Sequence, residues 1–131
     1  MRHAASVPIL LFFLLAGADA CAQSPSELEA AEKLFGGLWV NKETTRCLQI
    51  SFGDAPHATI LDWTRKFQKR ESGDVYKAAI RKDRLIMEED KEYHVPYSEI
   101  RVKNDTLLYL TKSHGTGMKQ KWDRDVFTRK P

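Results

Sequence analysis

The sequence predicts an all-β domain, an antiparallel up-and-down barrel of about eight strands preceded by one short helix. Three observations carry this prediction. From Leu38 onward the chain is a succession of short runs rich in Val, Ile, Thr, Leu and aromatic residues. Between the runs stand Gly53-Asp54-Ala55-Pro56, Ser72-Gly73-Asp74, Lys82-Asp83, Asp90-Lys91, Asn104-Asp105 and Ser113-His114-Gly115-Thr116-Gly117, whose Gly, Asn and Asp supply the backbone conformations of hairpins. These connections are also too short for a parallel crossover, which takes about a dozen residues or more, so neighbouring strands run antiparallel. Closing such a meander removes the two edges an open sheet would expose. A two-sheet sandwich is compatible with the same strand order.

Residues 1–22 read as a signal peptide. Met1-Arg2-His3 carries positive charge, 4–15 is apolar, and 16–22 consists mainly of small residues. About a dozen apolar residues, interrupted by Pro8, are too few to span ~30 Å of hydrocarbon. Two cleavage frames fit, before Cys21 and before Gln23; the second is favoured and leaves a mature domain of 23–131 in the periplasm or secreted medium. The alternative is a lipid anchor on Cys21, giving an outer-membrane lipoprotein. A Cys21–Cys47 disulfide requires that Cys21 survive cleavage unlipidated. No later run is apolar enough for a transmembrane span.

The helix is expected over 24–34. Ser24 caps it, Pro25 suits its first position, Glu27 stands in capping-box register, and Gly36-Gly37 stops it. Leu28, Ala31, Leu34 and Phe35 form an apolar stripe that docks on the domain. Strands are expected at 38–42, 46–52, 58–67, 75–81, 84–88, 97–103, 107–112 and 121–129. Alternation assigns inward faces: Leu48, Ile50 and Phe52 in the second strand, Thr59, Leu61, Trp63 and Phe67 in the third, Tyr76, Ala78 and Ile80 in the fourth, Ile100 and Val102 in the sixth. The run 107–110 is apolar on both faces, so its orientation stays open.

Gly37 and Trp39 opening the first strand after a short helix, with a basic residue near the end of the last strand, resemble the lipocalin pattern. In that family a Gly-x-Trp opens the barrel and a basic side chain packs over the Trp at the closed end. Arg129 is the candidate here, with Arg124 as alternative, and the contact has a cation–π rationale. The segment 100–110, with Asn104-Asp105-Thr106 between two strands, is similar to the later part of short bacterial lipocalin-like proteins. The resemblance spans about 24–129 and implies a non-enzymatic barrel for a small apolar ligand. Trp39, Trp63, Phe67 and Tyr76 are its candidate lining, whereas barrels of this size also fill themselves with their own side chains.

The remaining chemistry is sparse. Net charge is +3 with both signs mixed, which as a bulk property gives no case for nucleic acid or an anionic membrane. His57, His94 and His114 are scattered near turns without metal-ligand spacing, and Glu88-Glu89-Asp90-Lys91-Glu92 reads as a solvated hairpin tip. No catalytic residue, metal site or cofactor is expected, and the chain is expected to be monomeric. Arg65, Lys66, Lys69 and Arg70, interleaved with Phe67, make the basic hairpin 65–70 the candidate surface for the alternative function, an envelope protein-interaction or inhibitor module.

Overall fold

Pro25–Phe35 forms helix α1, entered through Ser24 in extended conformation. The Ser24 hydroxyl accepts from the Glu27 amide at 3.2 Å and donates to the Glu27 carboxylate at 3.1 Å, so two polar ends meet at the first turn. Replacing Ser24 with alanine removes that cap and is expected to cost about 1 kcal/mol, read as a lowered thermal midpoint. An unchanged midpoint would show that α1 is held by its packing alone. Ala31 and Phe35 are buried under the barrel, with Leu28 against them.

The computed structural model describes residues 24–53, 56–113 and 121–131. Eight strands follow the helix: β1 (Gly37–Val40), β2 (Arg46–Ser51), β3 (His57–Thr64), β4 (Asp74–Ile80), β5 (Leu85–Met87), β6 (Ser98–Lys103), β7 (Thr106–Ser113) and β8 (Lys121–Arg129). Each pairs antiparallel with its neighbour in sequence, and β8 returns to β1 through Trp39↔Arg129 and Val40↔Thr128. The result is the closed up-and-down barrel the sequence predicts.

One end is sealed. The indole Nε1 of Trp39 donates to the Phe35 carbonyl at 2.8 Å, while Arg129 donates to the carbonyls of Leu34 and Gly36 and lies 4.3 Å over the Trp39 ring. Arg129 therefore satisfies carbonyls at the end of α1 and stacks on the core's largest side chain at once. Gly37, at φ +117, leaves the helix where only glycine is unstrained, and a Cβ there would stand 3.2 Å from Arg129 Nη1. Above this plug Leu48, Ile60, Leu85, Ile100, Leu107 and Phe127 are all fully buried and fill the lower barrel.

Two elements differ from the sequence reading by more than one residue at an end. β1 stops at Val40 instead of continuing to Lys42, because the Asn41 side chain accepts from the amides of Glu43 and Thr44 and turns the chain. β3 ends at Thr64 instead of Phe67, and its inward face is opposite to the one expected. The pairs Ile50↔Ile60 and Leu48↔Asp62 put Ala58, Ile60 and Asp62 inside, so Thr59, Leu61 and Trp63 face outward. The register decides the face. Phe67 consequently lies in the β3–β4 turn, outside any strand, and is exposed.

A polar end to the barrel interior

Because β1 starts at the helix, the β1–β2, β3–β4 and β5–β6 connections all lie at the opposite end of the barrel. There the inward face carries charge. Arg46, on the same face of β2 as Leu48 and Ile50, donates to both oxygens of Asp62, at 3.0 Å from Nε and 2.7 Å from Nη2. Its Nη1 donates to Asp125 of β8 at 2.6 Å. Side-chain exposure is 24% for Arg46 and 12% for Asp62, against 45% for Asp125, so Asp62 is the more enclosed carboxylate and Asp125 reaches solvent. The guanidinium lies 4.5 Å over the Tyr109 ring and 5.7 Å from that of Phe127. It thus forms the polar floor of the open end, set on the aromatic top of the core.

The electrostatics follow from this packing. Burial works against the Arg46 charge, but the hydrogen bond and charge of Asp62 outweigh it and raise its pKa above that of an ordinary arginine. Burial raises the Tyr109 phenol despite the opposing charge of Arg46, and Tyr109 donates to Met87 Sδ at 3.8 Å. Burial, reinforced by Asp74 and Asp62, raises Tyr76 too, so both phenols are neutral donors at neutral pH. Register places Asp74 opposite Asp62, and Asp123 and Asp125 opposite Thr111 and Tyr109, all on the inner face. Asp62 and Asp125 thus hold the arginine, while Asp74 and Asp123 lie exposed on the same face.

Arg46 also spans a gap in the wall. β8 is paired with β7 from Lys121 to Thr128, but with β1 only at Thr128 and Arg129. Among the described strands, its first part therefore has a partner on one side only. A cleft of about 300 Å³ occupies this seam, lined by Val40, Asn41, Lys42, Glu43, Arg124, Asp125, Val126 and Thr128. The Arg46–Asp125 bond links β2 to β8 beside it, in place of missing ladder bonds.

Of the four residues expected to line a ligand cavity, only Tyr76 stands on the inner face toward the open end, half-buried. Trp39 is fully buried in the plug at the sealed end. Trp63 is buried on the outer wall, paired across the ladder with Cys47, and Phe67 is 78% exposed. Cys47 is a buried free thiol whose Sγ donates to the Thr45 carbonyl at 3.5 Å; burial raises its pKa against the partly offsetting charges of Arg65 and Lys130. Cys21, the signal-peptide reading over 1–22 and the turn 114–117 lie outside the described residues.

The residues that compose the polar end, Arg46, Asp62, Tyr109 and Asp125, were not singled out by the sequence reading. A signal for them exists: Arg46 shares parity with Leu48 and Ile50, and Asp125 shares parity with Phe127. A charge on a core-facing row requires either a partner or a ligand. A buried carboxylate, Glu99, lies on the outer wall and is satisfied there by Arg84, Arg101 and the Tyr97 hydroxyl. Among the described residues no cluster of metal-ligating side chains occurs, and no helix is long and apolar enough to cross a membrane.

Fold and site together define a closed eight-stranded antiparallel barrel with one plugged apolar end and one charged open end. Compared with protein-family models, curated proteins and solved structures, the chain shows no significant match to any of them.

Proposed function

We propose that the protein is an exported, non-enzymatic, lipocalin-like binding module whose ligand enters the open end of the barrel and rests on Arg46. The observation that carries this reading is the Arg46 guanidinium, turned into the barrel and held between Asp62 and Asp125 over Tyr109. The apolar depth is occupied by fully buried side chains, so the apolar ligand expected from the sequence has little depth to enter. The chemistry of the open end instead suits a small molecule with a flat apolar body, packed on Tyr76 and on the face of the guanidinium that covers Tyr109, and a cationic or hydrogen-bond-donating group directed at the carboxylates. Export to the periplasm or medium rests on the N-terminal pattern, and an intact mass of the protein from its host reads the cleavage site and any lipid on Cys21.

Binding is tested by titrating the ¹⁵N-labelled protein with phenethylamine, an aromatic amine, and with neutral toluene. The amine is expected to shift the amides of Arg46, Asp62, Tyr76, Tyr109 and Asp125. Asp125→Asn is expected to weaken it about tenfold, the worth of one charge-assisted hydrogen bond. Toluene binding equally well, or an amine response confined to the outer wall, would overturn the assignment.

A further inference from the structure

The β3–β4 turn presents a surface that the barrel interior does not explain. Phe67 is 78% exposed at its tip, and Arg65, Lys66, Lys69 and Arg70 surround it on exposed positions. None of these four cations is in an ion pair with a described carboxylate; Arg70 is tied only to the neutral Gln49, at 2.7 Å, and the Lys66 ammonium lies 5.6 Å from the Phe67 ring. The turn is also held in place. The amides of Arg65 and Lys66 donate to Thr45, those of Phe67 and Gln68 donate to the Thr64 carbonyl, and the Gln68 side chain bridges Thr64 and Ser72. Gly73 packs so closely that an added Cβ would stand 2.9 Å from the Asp62 carbonyl oxygen. Exposure of an aromatic ring on a braced turn is a fixed feature of the surface.

Beside the turn, Lys42, Arg65 and Lys130 border a cleft of about 450 Å³ with Val40 and Thr128. Against these cations stand Glu43, Glu71 and Asp74 nearby, the inward-facing Asp62, Asp123 and Asp125, and the acidic β5–β6 connection about two strand spacings, roughly 10 Å, away. That separation is about one Debye length at physiological salt, so the two charged lobes act largely independently. The bulk charge of +3 conceals this concentration of one sign at one place.

We infer that the β3–β4 turn docks on the anionic surface of a phospholipid bilayer, with Phe67 entering the headgroup region and Arg65, Lys66, Lys69 and Arg70 facing lipid phosphates. Charge complementarity selects the anionic surface, and area separates lipid from protein. A stable protein interface buries about 800 Å² on each partner, far more than one six-residue turn offers, whereas a bilayer needs only one shallow aromatic and adjacent cations.

The test is sedimentation of the full chain with vesicles of phosphatidylglycerol and phosphatidylcholine mixed, and with phosphatidylcholine alone. All arms carry Cys21→Ser, so that no lipid is attached there and the N-terminus is identical throughout. Binding is expected only to the anionic vesicles, and it is expected to fall steeply with added salt. The double variant Lys66→Glu/Lys69→Glu is expected to lower the partition coefficient at least about 20-fold, and Phe67→Ser several-fold, with unchanged circular dichroism. Phe67→Trp gives a second readout, a blue-shifted emission on anionic vesicles only. Equal binding to both vesicle types, indifference to these variants, an unshifted emission, or capture by soluble polyglutamate without dependence on Phe67 would overturn the inference; the last result would assign the turn to an acidic protein. None of these readouts depends on the barrel interior, so this inference and the ligand reading fail separately.

Discussion

Trp39→Ala is expected to be the most destabilising single substitution in the domain, at about 4 kcal/mol, the scale of a fully buried aromatic truncated to alanine. More than a cavity is created. The Phe35 carbonyl loses its indole donor, and Arg129 loses the ring beneath it while remaining bound to the Leu34 and Gly36 carbonyls. For a domain of this size the loss corresponds to a drop in melting temperature on the order of 15–25 °C. Trp39→Phe keeps most of the packing but not the hydrogen bond, and is expected to cost about 1–2 kcal/mol. Trp63→Ala is the instructive comparison. It removes the same side chain from the outer wall, outside the continuous core, and is expected to cost clearly less than Trp39→Ala. Chemical denaturation of the three variants checks the ranking; equal losses at Trp39 and Trp63 would mean that the plug does not seal the barrel as described.

That comparison also marks how far the sequence is legible. Strand number and antiparallel order follow from turn residues and connection lengths, which are local and specific; closure is preferred because it removes the sheet edges, although a sandwich fits the same strand order. The α1 boundary is legible for the same reason, since Ser24, Pro25 and Glu27 act within one turn. The face of β3 is not. Ala58 and Ile60 stand on one side, Leu61 and Trp63 on the other, so hydrophobicity favours the side with tryptophan. The register chooses the side with Asp62, because Arg46 is there to neutralise it. Trp63, expected to line a cavity, therefore stands on the outer wall, and Phe67, expected in the strand, stands in the β3–β4 turn.

The polar end was hidden by distance. Asp62 is 16 residues from Arg46 and Asp125 is 79, so no local pattern joins them. What is readable is the phase: in Arg46-x-Leu48-x-Ile50 and Asp125-x-Phe127 a charge occupies a row otherwise given to the core. Two such rows of opposite sign in an antiparallel barrel are candidates for a buried pair. The same reasoning applied to Arg129 led to its contact with Trp39 only through a family pattern, since the two residues lie at opposite ends of the chain.

Arg46→Met is expected to cost about 2–4 kcal/mol at neutral pH, somewhat below the loss for breaking a fully buried pair because Arg46 is 24% exposed. Methionine retains an unbranched stem against Tyr109 and Phe127, so the loss is chiefly that of leaving Asp62 in the barrel without a donor. A double-mutant cycle separates the two carboxylates. Coupling of Arg46 to Asp62, which is 12% exposed and doubly bonded, is expected near 2 kcal/mol; coupling to the half-exposed Asp125 is expected below about 1 kcal/mol. Arg46→Met/Asp62→Leu, which removes both charges, is expected to recover much of the loss, because an apolar pair avoids the desolvation that the ion pair must offset. Hydrogen exchange supplies a readout that stability alone does not. The first part of β8 has β7 on one side and only the Arg46–Asp125 bond toward β2, so its amides from Arg124 to Val126 are expected to exchange faster in Arg46→Met, with those of Ile60 and Ile100 following global stability. A variant as stable as the parent, with β8 exchange unchanged, would show that the seam is held without Arg46. The charged floor would then be dispensable to the fold and open to a purely ligand-binding role.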